Sequence, residues 1–298
     1  MILITGISGF LGKSITKALE NNYELFSLSR TYGDYKISLE KEVPKFVQSF
    51  DMVIHAAGKA HSVPKTESER KQFYDVNVIG TENLLRGLEN KGVPKEFVFI
   101  SSVSVYGQEF GIEIKEEQMP QAKDPYGLSK IKAEILIMEW CKKHNVVCTI
   151  LRLPLLAGEN PPGNLGAMIK AIEKGYYFNI GGGKARKSIV LSEDVANFIP
   201  KVAKIGGVYN LTDGFHPDFY ELSMAISRQK HKKAPYNIPV FIARMIGFVG
   251  DMLGEKAPFN SSKFKKITSD LTFDDSKARE IIGWKPQSVL EYFERKVF

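Results

Sequence analysis

Met1-Ile2-Leu3-Ile4-Thr5-Gly6-Ile7-Ser8-Gly9-Phe10-Leu11-Gly12 has the pattern of a strand, a glycine turn and the start of a helix. Ile2–Ile4 is a short apolar run of the kind that makes a buried strand, and a helical pattern follows from about Leu11 to Asn21. Between them, Gly6, Gly9 and Gly12 stand at G-x-x-G-x-x-G spacing. Glycine there permits positive φ and close backbone approach to a pyrophosphate, which the free N–H groups of a helix N-terminus attract. Three glycines alone say little; their place between a first strand and a first helix says much. The turn predicts Gly6, Ser8, Gly9, Phe10, Leu11 and Gly12 as dinucleotide contacts. A tight strand-to-helix turn without a ligand is the competing reading.

Outward from this turn, apolar β-rich runs alternate with helical patterns. Glu24–Ser29, Met52–Ala56, Val98–Ser101 and Val147–Leu153 read as strands; Phe73–Glu89 and Tyr126–His144 read as helices. Tyr32–Glu40 is obscure and has room for a short strand. The alternation predicts an α/β fold, a doubly wound parallel sheet of the Rossmann kind. After Pro154 the pattern loosens, and Gly158–Gly163 is rich in Pro and Gly. We expect a dinucleotide-binding domain over 1–156 and a smaller, mixed α/β substrate region over 157–298. Segments within about 187–212 (Ser188–Leu191 and Val208–Leu211) are expected to return to the main sheet. The stretch Val240–Leu253 is amphipathic enough to pack in the core, cap a pocket or touch a membrane surface, and packing is expected.

The chain has 298 residues, 43% hydrophobic and 25% charged, with a formal net charge of +7. No apolar run approaches the roughly 18–20 residues that span a bilayer. No basic region precedes a long apolar one at the start, so a cytoplasmic protein without membrane insertion is expected. Two cysteines, Cys141 and Cys148, offer no disulfide framework. The five histidines lack metal-ligand spacing, so no metal is expected. The basic residues are spread along the chain, densest at Arg228–Lys233 and Lys263–Lys266. Solvated faces explain such runs better than nucleic acid does, and an anionic small ligand needs few of them.

At the end of the second strand, where an acidic residue would bind the adenosine ribose hydroxyls, the chain reads Leu28-Ser29-Arg30. Ser29 could donate to a 2′-phosphate and Arg30 pair with it, which favours NADP over NAD. Small residues at Ala56, Ala57 and Gly58 would let the backbone run beside the dinucleotide. His55 reads as a hydrogen-bonded core residue and His61 as a loop histidine. Asn77, in an apolar setting, is expected to brace the neighbouring backbone.

Tyr126 and Lys130 form Tyr-x-x-x-Lys, one helical turn apart on one face. A phenol titrates near a pKa of about 10. A fixed ammonium beside it favours the phenolate and is expected to lower that value, making Tyr126 a proton donor or acceptor near neutral pH. Lys130 would also hold the nicotinamide ribose. Ser102, 24 residues before Tyr126, lies where a parallel strand delivers ligand contacts. It is the expected partner of the reacting oxygen, with Ser101 and Ser104 as rivals.

Thr5–Gly12, His55–Gly58, Ser102 with Tyr106-Gly107, and Tyr126-Gly127-Leu128-Ser129-Lys130 together resemble the extended short-chain dehydrogenases/reductases, the family of nucleotide-sugar epimerases, dehydratases and reductases. Asp275–Arg279 and Ile282–Pro286 resemble its closing segment. The resemblance implies Ser102, Tyr126 and Lys130 as catalytic residues supported by Asn77, and a sugar-nucleotide pocket in the C-terminal region. By the same resemblance, Asn164 and Leu165 match positions that touch a nucleotide diphosphate. Arg186, or its neighbour Lys187, matches a phosphate-contacting position, and Ser104 lies beside the substrate. A homodimer built on two long helices per subunit is also implied. Leu155 stands where UDP-galactose epimerases carry asparagine, which speaks against that enzyme.

Val103 and Ser104 occupy the places where 4,6-dehydratases use an Asp-Glu pair, and neither side chain can remove a carbon-bound proton. C4 epimerisation through a 4-keto intermediate and reduction of a 4-keto sugar remain, on a nucleotide sugar expected to be UDP-linked. An exchangeable NADPH suits the reductase and a tightly held NAD the epimerase. The rival from another class is a regulator that senses NADP(H) without turnover; nucleic-acid binding is more distant.

Overall fold

Strand β1 (Ile2–Thr5) is buried along its whole length and lies inside a seven-stranded sheet, third from one edge. A computed structural model of the chain describes residues 1–60, 64–253 and 259–295. Its first half runs β1, α1 (Phe10–Leu19), β2 (Leu25–Ser29), β3 (Tyr35–Lys36), β4 (Met52–His55), α2 (Glu67–Tyr74), a π turn over Asp75–Ile79, and α3 (Gly80–Lys91). Then come β5 (Glu96–Ser102), β6 (Gly111–Ile114), α4 (Pro125–His144) and β7 (Val147–Leu153). The second half holds β8 (Leu155–Ala157), α5 (Gly163–Glu173), β9 (Phe178–Ile180), β10 (Ile189–Leu191), α6 (Ser192–Val202) and β11 (Gly207–Asn210). It ends with α7 (Phe219–Gln229), β12 (Tyr236–Ile238), α8 (Val240–Met252), α9 (Ser261–Thr268), β13 (Leu271–Phe273), α10 (Ser276–Ile282) and α11 (Val289–Arg295).

The main sheet has the order β11-β7-β5-β4-β1-β2-β3, parallel throughout. This is the doubly wound α/β arrangement the sequence pattern predicts. The strand order reverses beside β1, between β2 and β4, and ligands of such sheets lie outside the strand C-termini at that point. Because side chains alternate along a strand, Ile2 and Ile4 enter one core with α1, α6 and Trp284, while Leu3 enters the other with Leu84, Leu88, Ile137 and Trp140. A third core, around Leu165, Ile169, Ile189, Leu222 and Phe293, supports the C-terminal region.

The short strand expected within Tyr32–Glu40 is β3. Two expectations need correction. Strand β11 joins the main sheet against β7, but β10 does not; it pairs with β8 in a separate two-stranded sheet. Pro154 between β7 and β8 cannot donate to a ladder, so the chain turns off the main sheet there and β10 follows it. Second, the helix read as starting at Phe73 starts at Glu67. Thr66 caps it by accepting the Glu69 N–H at 3.2 Å, ahead of residues too polar to show a helical period.

Candidate active site

The glycine turn is shaped by contact. Gly6 has φ +76°, and a Cβ there would lie 2.6 Å from the Ala57 nitrogen. A Cβ on Gly12 would lie 2.1 Å from the Gly6 carbonyl oxygen. Helix α1 starts after Gly9, which offers no side-chain cap to its first N–H groups. A backbone cradle that excludes side chains, with uncapped donors at a helix N-terminus, fits a dinucleotide pyrophosphate. Ser8 is exposed on this turn, Leu11 is buried beneath it, and the Phe10 ring reaches the loop at Gly158.

Beneath the turn runs a relay that sequence reading did not find. The Ala57 N–H donates to Thr5 Oγ1 (3.1 Å), Thr5 Oγ1 meets His55 Nδ1 (2.7 Å), and His55 Nε2 meets Thr81 Oγ1 (2.9 Å). Thr81 in turn donates to the Asn77 carbonyl at 2.7 Å. Each hydroxyl has one proton, so His55 carries its proton on Nε2 and accepts at Nδ1. Burial, and then the charge of Lys130, push the His55 pKa down to about 3, so the ring is neutral. His55 is thus the core residue expected of it. His61 lies outside the described residues.

Asn77 sits in the π turn, a departure from α-helical winding often found at functional sites. Its Oδ1 accepts the Lys59 N–H at 2.7 Å, and its Nδ2 donates to the Lys59 carbonyl at 3.1 Å and to Ser129 Oγ at 2.8 Å. One buried amide thereby ties the backbone after Ala56-Ala57-Gly58 to helix α4. The wider turn aims it there.

Asp124 caps α4 by accepting the Tyr126 and Gly127 N–H groups at 3.1 and 3.0 Å, and Pro125 starts the helix. Gly127 lets α4 approach the end of β5: a Cβ there would lie 2.7 Å from the Ser104 carbonyl oxygen. Tyr126 consequently comes near Ser102, close enough for its hydroxyl to influence the phenol. Ser102 Oγ also accepts the Ser104 N–H and meets Ser104 Oγ, both at 3.2 Å. Rival Ser101 points to the other side of the strand and donates to Glu134 at 2.5 Å.

Lys130 is buried. Its ammonium donates to the Ile100 carbonyl at 2.9 Å, lies 4.5 Å from the centre of the Phe99 ring, and comes up under Gly58. Burial lowers its pKa to about 8, against the pull of Glu134 one turn on. The expectation of a lowered Tyr126 pKa is corrected here. Burial pushes the phenol up, and the nearby Ser102 hydroxyl opposes this only in part. Lys130 is committed to Ile100 rather than to the phenol. Tyr126 is therefore a neutral acid with a proton to donate.

The floor beneath Lys130 holds a second buried network. Arg152 and Glu134 pair at 2.8 Å, Arg152 Nη1 donates to the Tyr106 hydroxyl at 3.1 Å, and Tyr106 donates to Asn210 Oδ1 at 2.8 Å. Glu134, four residues beyond Lys130, was the available signal in sequence.

Of the remaining expected contacts, Ser29 is corrected. Its hydroxyl donates to the Tyr32 carbonyl at 2.5 Å and accepts the Tyr32 N–H at 3.2 Å, so it closes a local turn instead of facing a 2′-phosphate. Arg30 is exposed beside it. Asn164 is exposed in the first turn of α5, whereas the Leu165 side chain is packed in the third core, leaving only its backbone for a ligand. Arg186 is exposed and donates to the Phe215 and His216 carbonyls at 3.4 and 3.3 Å. Lys187 is bound to the Lys266 and Ser269 carbonyls, so Arg186 is the freer of the two.

The sequence pattern of the NAD dependent epimerase/dehydratase family matches residues 2–211. The chain is 28% identical to a UDP-glucose 4-epimerase of Vibrio cholerae over 97% of its own length and 92% of the relative's. It is 28% identical to the N-acetyl-alpha-D-glucosaminyl-diphospho-ditrans,octacis-undecaprenol 4-epimerase of Escherichia coli O157:H7, over 93% and 88%. A GDP-6-deoxy-D-mannose reductase of Pseudomonas aeruginosa is 34% identical over 47% of this chain and 46% of the relative. In fold the chain is similar to the UDP-glucose 4-epimerase of Thermotoga maritima crystallised with UDP-glucose, with a TM-score of 0.75 at 22% identity, over 99% of this chain and 97% of the other. The chain belongs to the NAD-dependent epimerase/dehydratase family and is an enzyme of the extended short-chain dehydrogenase/reductase type that works with NAD(P).

Proposed function

We propose that this enzyme acts at C4 of a sugar carried on a diphosphate, with a UDP-linked hexose or N-acetylhexosamine as the first choice, either as a 4-epimerase or as a 4-keto-sugar reductase. The observation that carries the reading is the approach of Tyr126 to Ser102 at the end of β5, with Lys130 one turn further along α4 under Gly58 and a glycine cradle that fits a dinucleotide. A nicotinamide dinucleotide held by the Gly6–Gly12 turn and Lys130 would supply or accept hydride at C4. Ser102 holds the C4 oxygen by hydrogen bond, and Tyr126 gives it a proton as the carbonyl becomes a hydroxyl, or takes that proton in the reverse sense. Lys130, fixed by the Ile100 carbonyl, supplies positive charge and a donor to the nicotinamide ribose. Asn77 keeps the Lys59 backbone and α4 in register around it.

Dehydration finds no acid–base pair at Val103 and Ser104. With Ser29 closed on Tyr32, only exposed Arg30 speaks for NADP, so epimerisation with retained NAD stands level with NADPH-dependent reduction. Uncapped N–H groups at the start of α5, with Arg186, are the proposed diphosphate contacts. Exposed Leu128, Ile135 and Met138 on α4, with Tyr74 on α2, support a homodimer through these helices. The test is to incubate the protein with UDP-linked hexoses and follow C4 inversion by NMR, and separately to follow NADPH oxidation with a 4-keto nucleotide sugar. We expect one of the two reactions; loss of water from C5–C6 or no turnover of any diphosphate-linked sugar refutes the reading.

A further inference from the structure

Helix α8 inverts the usual pattern of a surface helix. Its buried residues are Ala243, Gly247 and Gly250, spaced i, i+4 and i+7 and so on one stripe. These small residues admit the segment leading into α9: a Cβ at position 250 would lie 1.9 Å from the Phe259 carbonyl oxygen. On the opposite stripe stand Phe241, Met245, Phe248 and Met252, exposed by 64%, 66%, 65% and 76%. Ile242, Ile246, Val249 and Leu253 are exposed too and widen that stripe. Only Arg244 and Asp251 are polar, and both lie on one flank. The expected packing of this stretch is thus corrected: the helix packs with its smallest residues and displays its largest. An apolar patch of this kind marks a contact surface.

Charge says what it meets. From Arg228 to Thr268 the chain has nine Lys or Arg residues against two Asp or Glu, so this stretch carries the whole net +7 and the rest of the chain is electrically balanced. Lys232 and Lys233 are exposed before β12, and Lys263, Lys265 and Lys266 are exposed on α9, which packs beside α8. A second copy would bring two such positive surfaces together, which disfavours it as the occupant. A helix of 13 residues is about 20 Å long, too short to span a bilayer, and no helix among the described residues is long and apolar enough to do so. An apolar face with a basic surround is instead the pattern of a helix lying in the headgroup plane of an anionic membrane.

We infer that α8, with its basic flanks on residues 228–233 and α9, docks this enzyme on an anionic lipid bilayer. The surface is coupled to the substrate region. Strand β12, which leads into α8, pairs with β9, and Lys187 beside Arg186 holds the end of α9 through two carbonyls. The inference rests on the surface itself and stands apart from the proposed reaction.

The test is flotation of the full chain with vesicles of phosphatidylcholine, with and without phosphatidylglycerol. The protein is expected to float with the anionic vesicles and to be released by salt. Phe241→Ser/Phe248→Ser should weaken binding at least about tenfold, and Lys232→Ala/Lys233→Ala by roughly fivefold per charge at low salt. Both variants should keep their melting temperature and dinucleotide affinity, which separates this test from failure of the catalytic reading. Absence of binding to anionic vesicles, or binding that survives both variants, overturns the proposal. So does a dimer that the Phe241→Ser/Phe248→Ser variant dissociates while the parent binds no vesicles, because the face then belongs to a second copy.

Discussion

Helix α4 buries two charged side chains, Lys130 and Glu134, whereas α8 leaves eight large apolar ones in solvent. Each breaks the rule that charge faces out and hydrocarbon faces in, and each does so next to something the fold needs. On α4 the buried charges are matched: Glu134 by Arg152 and Ser101, Lys130 by the Ile100 carbonyl and the Phe99 face. On α8 the displayed hydrocarbon is matched by nothing among the described residues. A violation satisfied from within points to a prepared site; one left unsatisfied points to a surface awaiting an outside partner.

Glu134 is the most sensitive point of the buried network on α4. Replacing it with Ala leaves Arg152 buried without its carboxylate, and denaturant unfolding should show a loss of about 3–5 kcal/mol. A loss no greater than that of a surface substitution would mean the floor beneath Lys130 is not held by this pair. His55 sharpens the same side. Its folded pKa is depressed to about 3 from the ordinary 6.5, so the unfolded chain binds the extra proton in between. Stability should therefore fall as pH drops from 6.5 towards 3, by about 1.4 kcal/mol per pH unit from this group. A His55→Asn variant, less stable at neutral pH, should show a shallower slope in urea titrations across that window.

Lys130 gives a smaller, functional effect. Its ammonium is lost as pH rises through about 8, and KM for the dinucleotide should rise there, read from initial rates. The same depressed value makes stability rise with pH from about 8 towards the ordinary 10.5, because only the unfolded chain then keeps the proton. The smallest effect belongs to α8. Phe241→Ser/Phe248→Ser should change unfolding stability by no more than about 0.5 kcal/mol; a large drop would show that these rings support the fold.

The first strand, the glycine turn, and the Ser102, Tyr126 and Lys130 positions were legible in the sequence because local spacing and strand ends define them. The supporting relay was not, because Thr5, His55, Thr81 and Asn77 meet only when β1, β4 and α3 are assembled. Ser29 misled because a hydroxyl at a strand end satisfies its own turn as readily as a phosphate. Strand β10 misled because a short apolar run carries no mark of which neighbour it will pair with. The expected fall in the Tyr126 pKa failed for a related reason: spacing places an ammonium one turn away but says nothing about the carbonyl that claims it. The amphipathic character of Val240–Leu253 likewise did not reveal that its small residues face the protein.

Tyr126 is the proposed carrier of the proton at C4. Tyr126→Phe keeps the ring and its packing against Phe73 at 6.1 Å while removing the hydroxyl. Single-turnover hydride transfer on a diphosphate-linked sugar should slow by about 10²–10⁴-fold with dinucleotide affinity retained. Transfer at the parent rate would contradict the account.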